Sequence, residues 1–470
     1  MKHQACTSIL VGKKASLNNS IIIGRNEDFG EVINRKTFKI FEPFSKSNNI
    51  YESANTKVRV NLPLKGYRHS GNPSDDPNEI GNYTEGAINE VNVAISATES
   101  LYGNERVLSY DPLVKDGIAE DAIVDLVIPF INSAKEGVEY LGLLIEKWGS
   151  AEGNGVLFAD KDECWYMEIP TGHHWVAVRI PDDCYAIAPN QVCIQEIDFD
   201  DLDNYRFSTG ILEFVEKYHL NPHPDTFNFR NIFGTSTKQD RVYNTPRAWF
   251  GHRYFNPEND FQPESSDIPF IQKANRLIGI EDVDYFLSSH FNETPYDPIG
   301  RGTKEDKTKY RAISLSRTQE SHILEIRNIE NPLLKSIHYT AFGTTAFTPY
   351  IPFFIHSHDV DECISKVPLN LDLNNAYWLF KVISYYTETH FNLLEKDNLD
   401  FLSRMQILAR QRIDEITNNF NEDEDYLSYF TNENNKTLKL FIEESQKYLN
   451  QCMIKALEVS KLSFKMDPDL

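Results

Sequence analysis

The sequence of 470 residues lacks any run of about 18 uncharged apolar residues, the length that a membrane-spanning helix requires. No apolar segment precedes the first strand-like run, so we expect no cleavable secretory signal. Basic residues are also scarce: 47 Lys and Arg stand against 70 Asp and Glu, a formal net charge of -23. Nucleic acids and anionic membranes are bound by clustered Lys and Arg, and we therefore expect neither as a partner.

Cysteine is sparse, and the six cysteines form no CxxC motif. Free thiols in a reducing compartment fit this pattern, so the predicted location is the cytoplasm. The glycine fingerprints of P-loop and Rossmann proteins are missing, as are the GxSxG motif of serine hydrolases and the HExxH motif of zinc peptidases. We therefore expect no organic cofactor and no metal ion.

Two histidine pairs offer the alternative of a metal site. His356 and His358 alternate along a strand-like segment that runs into acidic residues, and His173 and His174 form the second pair. Alternation along a strand would put His356 and His358 on one face. A solvated surface explains this pattern more simply than metal catalysis, because no further ligand motif accompanies it.

A cysteine near the start of the chain opens the segment that points most directly to chemistry. The runs TSILV and SIIIG are β-branched and apolar, and the Asn-Asn between them predicts an antiparallel hairpin. Such a hairpin returns Arg25 and Asp28 to the neighbourhood of Cys6, where a thiol can become a thiolate. If the five preceding residues were removed, Cys6 would also carry a free α-amine with an ordinary pKa of about 8. That amine could act as the base for its own thiol.

Ordinary roles compete with this interpretation, since most cysteines are small buried hydrophobes and an RxxD at a strand end is often a surface ion pair. The wider sequence, however, resembles the cysteine dipeptidases of the dipeptidase A type, within the N-terminal nucleophile hydrolases. The segments that carry the resemblance lie between residue 5 and about residue 384: ACTSILVGKKAS, IIGRNED, GAINEVNVAISATES, the helical stretch 120–149, GVLFADKDECWYMEIPTGHHWVAVRIPDD, YAIAPNQ, YNTPRAWF, YDPIG, SRTQESHILEIR, AFGTTAFTPYIPFF and NNAYWLFKVI.

Periodicity predicts a layered α+β body. We expect one strand over residues 88–98 and a four-stranded meander made of VLFAD, CWYMEI, HHWVAVRI and CYAIA. A strand pair, RAISLSRT and SHILEIR, is predicted further on. Long amphipathic helices are predicted over residues 375–394, 399–418 and 435–462. The resemblance implies a more specific architecture for this body, a four-layer αββα sandwich of two antiparallel sheets.

The resemblance also implies a division of the chain and a set of catalytic roles. Residues 1–5 would be a propeptide that is removed, residues 6–370 the catalytic domain, and residues 371–470 a helical region packed on the same body. Cys6 would be the nucleophile, Arg25 would lower the pKa of its thiol, and Asp28 would orient its freed amine. Asn190 matches the active-site Asn of the family and would donate to the oxyanion.

Other site assignments stay open between neighbours. Thr98 matches a substrate-pocket position in related hydrolases, with Ser96 and Glu99 as its competitors. Arg241 resembles an arginine that related acylases use near the nucleophile, and Arg247 is the competitor for a bidentate contact with a substrate carboxylate. We include Thr98, Glu99 and Arg247 as candidate substrate-binding residues and Arg241 as a candidate catalytic residue.

The implied function is that of a cytoplasmic cysteine dipeptidase, a homo-oligomer that hydrolyses dipeptides with broad side-chain tolerance and without a cofactor. The Ala5–Cys6 bond would be cut by Cys6 itself or by an aminopeptidase. One alternative is an amidase or acylase of the same fold that acts on penicillin-like or bile-salt-like amides. Another, of a different class, is an inactive scaffold protein built on the C-terminal helices.

Overall fold

The computed structural model describes residues 5–75, 81–99, 101–223 and 225–460, without the side chain of Ala5. The predicted propeptide therefore lies outside the described residues, apart from the backbone of its last residue. The strands are β1 (Ala5–Val11), β2 (Ile21–Asp28), β3 (Lys39–Phe41), β4 (Phe44–Ser45), β5 (Ile50–Glu52), β6 (Arg59–Asn61), β7 (Lys65–Gly66), β8 (His69–Gly71), β9 (Gly86–Asn89), β10 (Ala94–Glu99), β11 (Asn154–Ala159), β12 (Cys164–Ile169), β13 (Val176–Ile180), β14 (Cys184–Ala188), β15 (Tyr205–Phe207), β16 (Ile271–Lys273), β17 (Thr318–Ile326), β18 (Ser336–Phe342) and β19 (Ile351–Phe354).

Helices connect and flank these strands. They are α1 (Glu105–Leu108), α2 (Glu120–Val127), α3 (Ala134–Trp148), α4 (Ile211–Lys217), α5 (Phe229–Phe233), α6 (Lys238–Tyr243), α7 (Thr245–Phe255), α8 (Ile280–Leu287), α9 (Glu362–Ser365), α10 (Ala376–Thr389), α11 (Phe391–Asn419) and α12 (Tyr426–Glu458). Short 3₁₀ turns span Ile128–Phe130, Asp306–Thr308 and Pro332–Leu334. Within the described ranges, no helix combines the length and the apolar composition needed to cross a membrane.

Two antiparallel sheets lie face to face in the middle of the molecule. The first has the strand order β16-β14-β1-β2-β17-β18-β19 and the second the order β15-β13-β12-β11-β10-β9-β8-β3. Alternate residues of each strand point to opposite faces. Leu10, Ile23 and Leu324 of the first sheet therefore pack against the second sheet. Their neighbours Ile9 and Ile22 face outward.

Helices cover the outer faces of both sheets. Helices α7 and α8 pack on the outer face of the first sheet, and α2 and α3 pack on that of the second. The predicted α+β class and the four-layer order are therefore confirmed.

The C-terminal helices α10, α11 and α12 pack around the end of the first sheet formed by β18 and β19. Asn434 of α12 meets the backbone of the edge strand there. Its side-chain oxygen accepts from the N–H of Phe354 at 3.0 Å, and its amide donates to the Phe354 carbonyl at 2.8 Å.

Three strand predictions are wrong in detail. Residues 88–98 form two strands, β9 and β10, because the chain turns between them at Asn92, which adopts φ 64°. The fourth strand of the expected meander, β14, leaves the second sheet and pairs with β1 of the first. The expected pair RAISLSRT and SHILEIR is instead the single strand β17 preceded by a loop. Arg311 and Ser314 of that loop bond to Asp28 and Thr345 rather than to a strand partner.

Candidate active site

The predicted hairpin is confirmed, and its register decides which side chains meet. Cys6 lies opposite Glu27, and Ser8 lies opposite Arg25. Paired residues and residues two apart share a face of the sheet. Cys6 and Arg25 therefore both project into the layer between the sheets, whereas Asp28 projects from the outer face at the same end of the hairpin.

The guanidinium of Arg25 holds the thiol of Cys6. Its Nη1 lies 3.2 Å from Sγ, and its Nε donates to Ser96 Oγ at 2.9 Å. Burial raises the pKa of the Cys6 thiol to about 12, and the lowering effect of Arg25 does not offset it. With Cys6 still joined to Ala5, the thiol is thus protonated at neutral pH.

A network of buried charged side chains fixes the guanidinium of Arg25. Glu85 accepts from Arg25 Nη2 at 2.5 Å and from Lys36 Nζ at 2.5 Å, and all three side chains are almost completely buried. On the other side of Arg25, Ser96 Oγ lies 2.8 Å from Nε2 of His322. Glu85, Lys36 and His322 could not be predicted as neighbours of the site, because no local motif links residues so far apart in the chain.

Asp28 is the acceptor for two groups on its own side of the sheet. Its Oδ1 accepts from Thr318 Oγ1 at 2.5 Å, and its Oδ2 pairs with the guanidinium of Arg311. Lys381 of α10 donates to the Thr318 carbonyl at 2.8 Å. Asp28 lies opposite Ala5 in the hairpin, the residue that precedes Cys6.

Arg247 donates hydrogen bonds both to Cys6, the predicted nucleophile, and to Asn190, the predicted oxyanion donor. Its five N–H groups donate to Tyr243 O at 2.9 Å, Cys6 O at 2.5 Å, Thr7 Oγ1 at 2.8 Å, Asn190 Oδ1 at 2.6 Å and Asn244 Oδ1 at 2.8 Å. Because Asn190 presents its oxygen to Arg247, its Nδ2 points elsewhere. That Nδ2 is buried and has no hydrogen-bond partner among the described residues. It is a donor available to an oxyanion.

The other candidates from the sequence occupy different surroundings. Arg241 is exposed on α6, so the structure does not bring it into this cluster, whereas Arg247, six residues later, is completely buried. Thr98 is buried close enough to Cys6 to lower the pKa of its thiol. Glu99, at the end of β10, is partly buried, and burial together with Glu152 raises its pKa to about 7.

The histidine pairs have separate partners. His173 Nδ1 lies 2.8 Å from Asp111 Oδ1, and His174 Nδ1 lies 2.9 Å from Ser208 Oγ. His356 is buried near the ring of Tyr426, whereas His358 is exposed. In the part of the chain that the structure describes, no three His, Cys, Asp or Glu side chains converge as a metal site would need.

Comparison with known proteins identifies similar chains. Residues 5–403 match the model of Peptidase family C69. The chain is 47% identical over 466 residues to a probable dipeptidase of Latilactobacillus sakei, a match that covers 99% of this chain and 98% of the relative. It is 40% identical over 400 residues to dipeptidase A of Lactobacillus helveticus, covering 84% of each. A crystal structure of a conjugated bile acid hydrolase mutant from Clostridium perfringens aligns with 72% of this chain and 89% of its own, at 12% identity and a TM-score of 0.31.

Proposed function

Because the chain belongs to peptidase family C69, we propose that it hydrolyses the peptide bond of dipeptides with the thiol of Cys6 as nucleophile. Relatives that carry the name dipeptidase are similar over nearly the whole chain. One observation carries the assignment to Cys6: Arg25 Nη1 lies 3.2 Å from its Sγ. Two further observations support it: Asp28 lies opposite Ala5, and the Nδ2 of Asn190 has no hydrogen-bond partner within the described ranges.

The reaction needs a base close to the thiol of Cys6, and we assign that role to the α-amine of the processed chain. In the chain joined to Ala5, the nitrogen of Cys6 is an amide nitrogen, which accepts no proton at neutral pH. Removal of residues 1–5 converts it to an α-amine beside the carboxylate of Asp28. The amine takes the proton of the thiol, and the resulting ammonium and Arg25 are two cations near the sulfur that favour the thiolate.

Catalysis then proceeds in two steps. The thiolate attacks the scissile carbonyl, and Asn190 Nδ2 donates to the oxyanion of the tetrahedral intermediate. The α-ammonium gives its proton to the departing amine as the C–N bond breaks, which leaves a thioester on Cys6. Water attacks the thioester with the α-amine as base, and the thiol is regenerated. No metal or organic cofactor takes part in this scheme.

The proposal extends to the location, assembly, specificity and processing of the protein. The protein acts in the cytoplasm as a homo-oligomer with broad side-chain tolerance. Residues 6–370 form the catalytic domain, and residues 371–470 form a helical region on the same body. The Ala5–Cys6 bond is cut by Cys6 itself or by an aminopeptidase.

Mass spectrometry and thiol labelling test the proposal together. We expect active protein to begin at Cys6 and the variant C6A to be inactive on dipeptides. We also expect iodoacetamide to modify Cys6 in the processed chain much faster than in the uncut chain, where the pKa of the thiol is about 12. The matched control for C6A is the variant C164A. Cys164 is likewise a buried strand cysteine, and burial likewise raises the pKa of its thiol. Full activity of protein that retains Met1 would refute the role of the α-amine.

A further inference from the structure

Arg247, the arginine that donates to the Cys6 carbonyl, has no hydrogen bond left to give a substrate. All five N–H groups of Arg247 donate to protein acceptors, including the carbonyl of Cys6 itself. Arg311, the next cation, is paired with Asp28. Arg247 is thus a positioning residue, and recognition of a substrate carboxylate calls for a different cation.

Arg317 meets that requirement. Its backbone is fixed at the end of the catalytic hairpin, since its carbonyl accepts from Phe29 N at 3.3 Å and from Gln319 Nε2 at 2.7 Å. Its side chain is partly exposed, and Nη2 lies 3.4 Å from the hydroxyl of Tyr243. Among the described residues this is the one hydrogen bond of its guanidinium, which leaves donors free for a bidentate contact.

The electrostatic field around Tyr243 favours an anion. Burial acts to raise the pKa of Tyr243, but Arg311, Arg247 and Arg317 together lower it below its ordinary value. The guanidinium carbons of Arg247 and Arg311 lie 5.3 Å and 5.4 Å from the centre of its ring. Asp28 neutralises Arg311, whereas neither Arg247 nor Arg317 has a carboxylate partner within the described part of the chain. A carboxylate would complete this cluster.

Tyr243 also connects Arg317 to the nucleophile. Arg247 donates both to the Tyr243 carbonyl and to the Cys6 carbonyl, so Tyr243 and Cys6 are fixed to one guanidinium. In a dipeptide the terminal carboxylate is only one residue beyond the scissile carbonyl. Successive α-carbons lie about 3.8 Å apart, so the group that binds the carboxylate must be close to the nucleophile. We propose that Arg317, with the Tyr243 hydroxyl, binds the C-terminal carboxylate of the dipeptide and so restricts substrates to two residues. This inference rests on the proposed function.

Substrates that differ only at the C-terminus test the proposal in the processed wild-type enzyme. We expect kcat/KM for a dipeptide to exceed that for the corresponding dipeptide amide and tripeptide by tenfold or more. Equal values for all three would overturn the proposal even if no variant folds. Absence of any dipeptide hydrolysis would instead refute the proposed function, so the two failures are distinguishable.

Variants of Arg317 locate the effect. R317Q should lower kcat/KM for the dipeptide about 10- to 100-fold, mainly through KM, and leave the amide within about twofold. R317K should restore part of the loss, because it keeps the charge without the bidentate geometry. The control R404Q removes the same charge from an exposed arginine on α11 and should change kcat/KM for neither substrate. An R317Q variant that slows both substrates equally, or neither, would contradict the assignment.

Discussion

Glu85 is the residue whose replacement should most clearly destabilise the active-site end of the fold. Burial acts to raise its pKa, but Lys36 and Arg25 lower it below the ordinary value, so Glu85 is ionised at neutral pH. It lies 2.5 Å from each of the two buried cations. Burial, together with the charge of Glu85, raises the pKa of the neighbouring Glu27 and Glu320 to about 8, so in the wild type Glu85 carries the counter-charge at neutral pH.

The expected loss of stability in a Glu85 variant follows from this geometry. Breaking a buried ion pair by removing one partner costs about 3–5 kcal/mol, because the remaining charge is left uncompensated. E85A removes the carboxylate that is hydrogen-bonded to both cations, and we expect the free energy of unfolding of this variant to fall by about that amount. The matched control is E52A. Glu52 lies 3.3 Å from Arg59 with both side chains more than half exposed, and such a pair contributes about 0–1 kcal/mol.

Urea denaturation followed by tryptophan fluorescence measures the difference between the two variants. E85A should unfold at clearly lower urea than the wild type, whereas E52A should not. E85Q, which keeps the shape but not the charge, should fall between E85A and the wild type. If the urea midpoint of E85A shifts no more than that of E52A, Glu85 does not compensate the buried cations.

Three further predictions concern the oxyanion donor, a buried carboxyl and the substrate ammonium. N190A should lower kcat about 10²- to 10³-fold with little change in KM; unchanged kcat in steady-state kinetics would exclude Asn190 as a donor. Burial raises the pKa of Glu168 from 4.5 to about 8, so the folded state keeps a proton that the unfolded state releases, and stability should fall as the pH rises from about 4.5 to 8. Urea midpoints across this range should show a smaller fall for E168Q; an equal fall would contradict the assignment. If Glu99, with a pKa of about 7, binds the substrate ammonium, KM for a dipeptide should decrease as the pH rises from about 6 to 7.5. E99Q should abolish that decrease, and its persistence would assign it to another group.

Local patterns were sufficient for the hairpin and for the meeting of Cys6 with Arg25. Two β-branched runs around a turn fix a register, and the register places side chains two residues apart on one face. The resemblance to the dipeptidase family, read from motifs in order, is confirmed by the match over residues 5–403. The turn at Asn92 was not predicted as a break, because apolar alternation continues on both sides of it.

Contacts between segments that are distant in the chain could not be predicted from the sequence. Glu85 follows Arg25 by 60 residues, and the two meet because the sheets pack face to face. The choice between Arg241 and Arg247 depends on the chain passing from α6 to α7 at Asn244, which leaves the first arginine exposed and the second buried. Neither effect has a signal in residue type or spacing.

The contact between Asn434 and Phe354 has a consequence for how the molecule behaves at high concentration. β19 is the last strand of the first sheet, and an uncovered edge strand is a template on which another chain can add a strand. The amide of Asn434 occupies both the N–H and the carbonyl of Phe354, as a neighbouring strand would. We therefore expect helix α12 to hinder the addition of a strand at this edge, a role separate from catalysis.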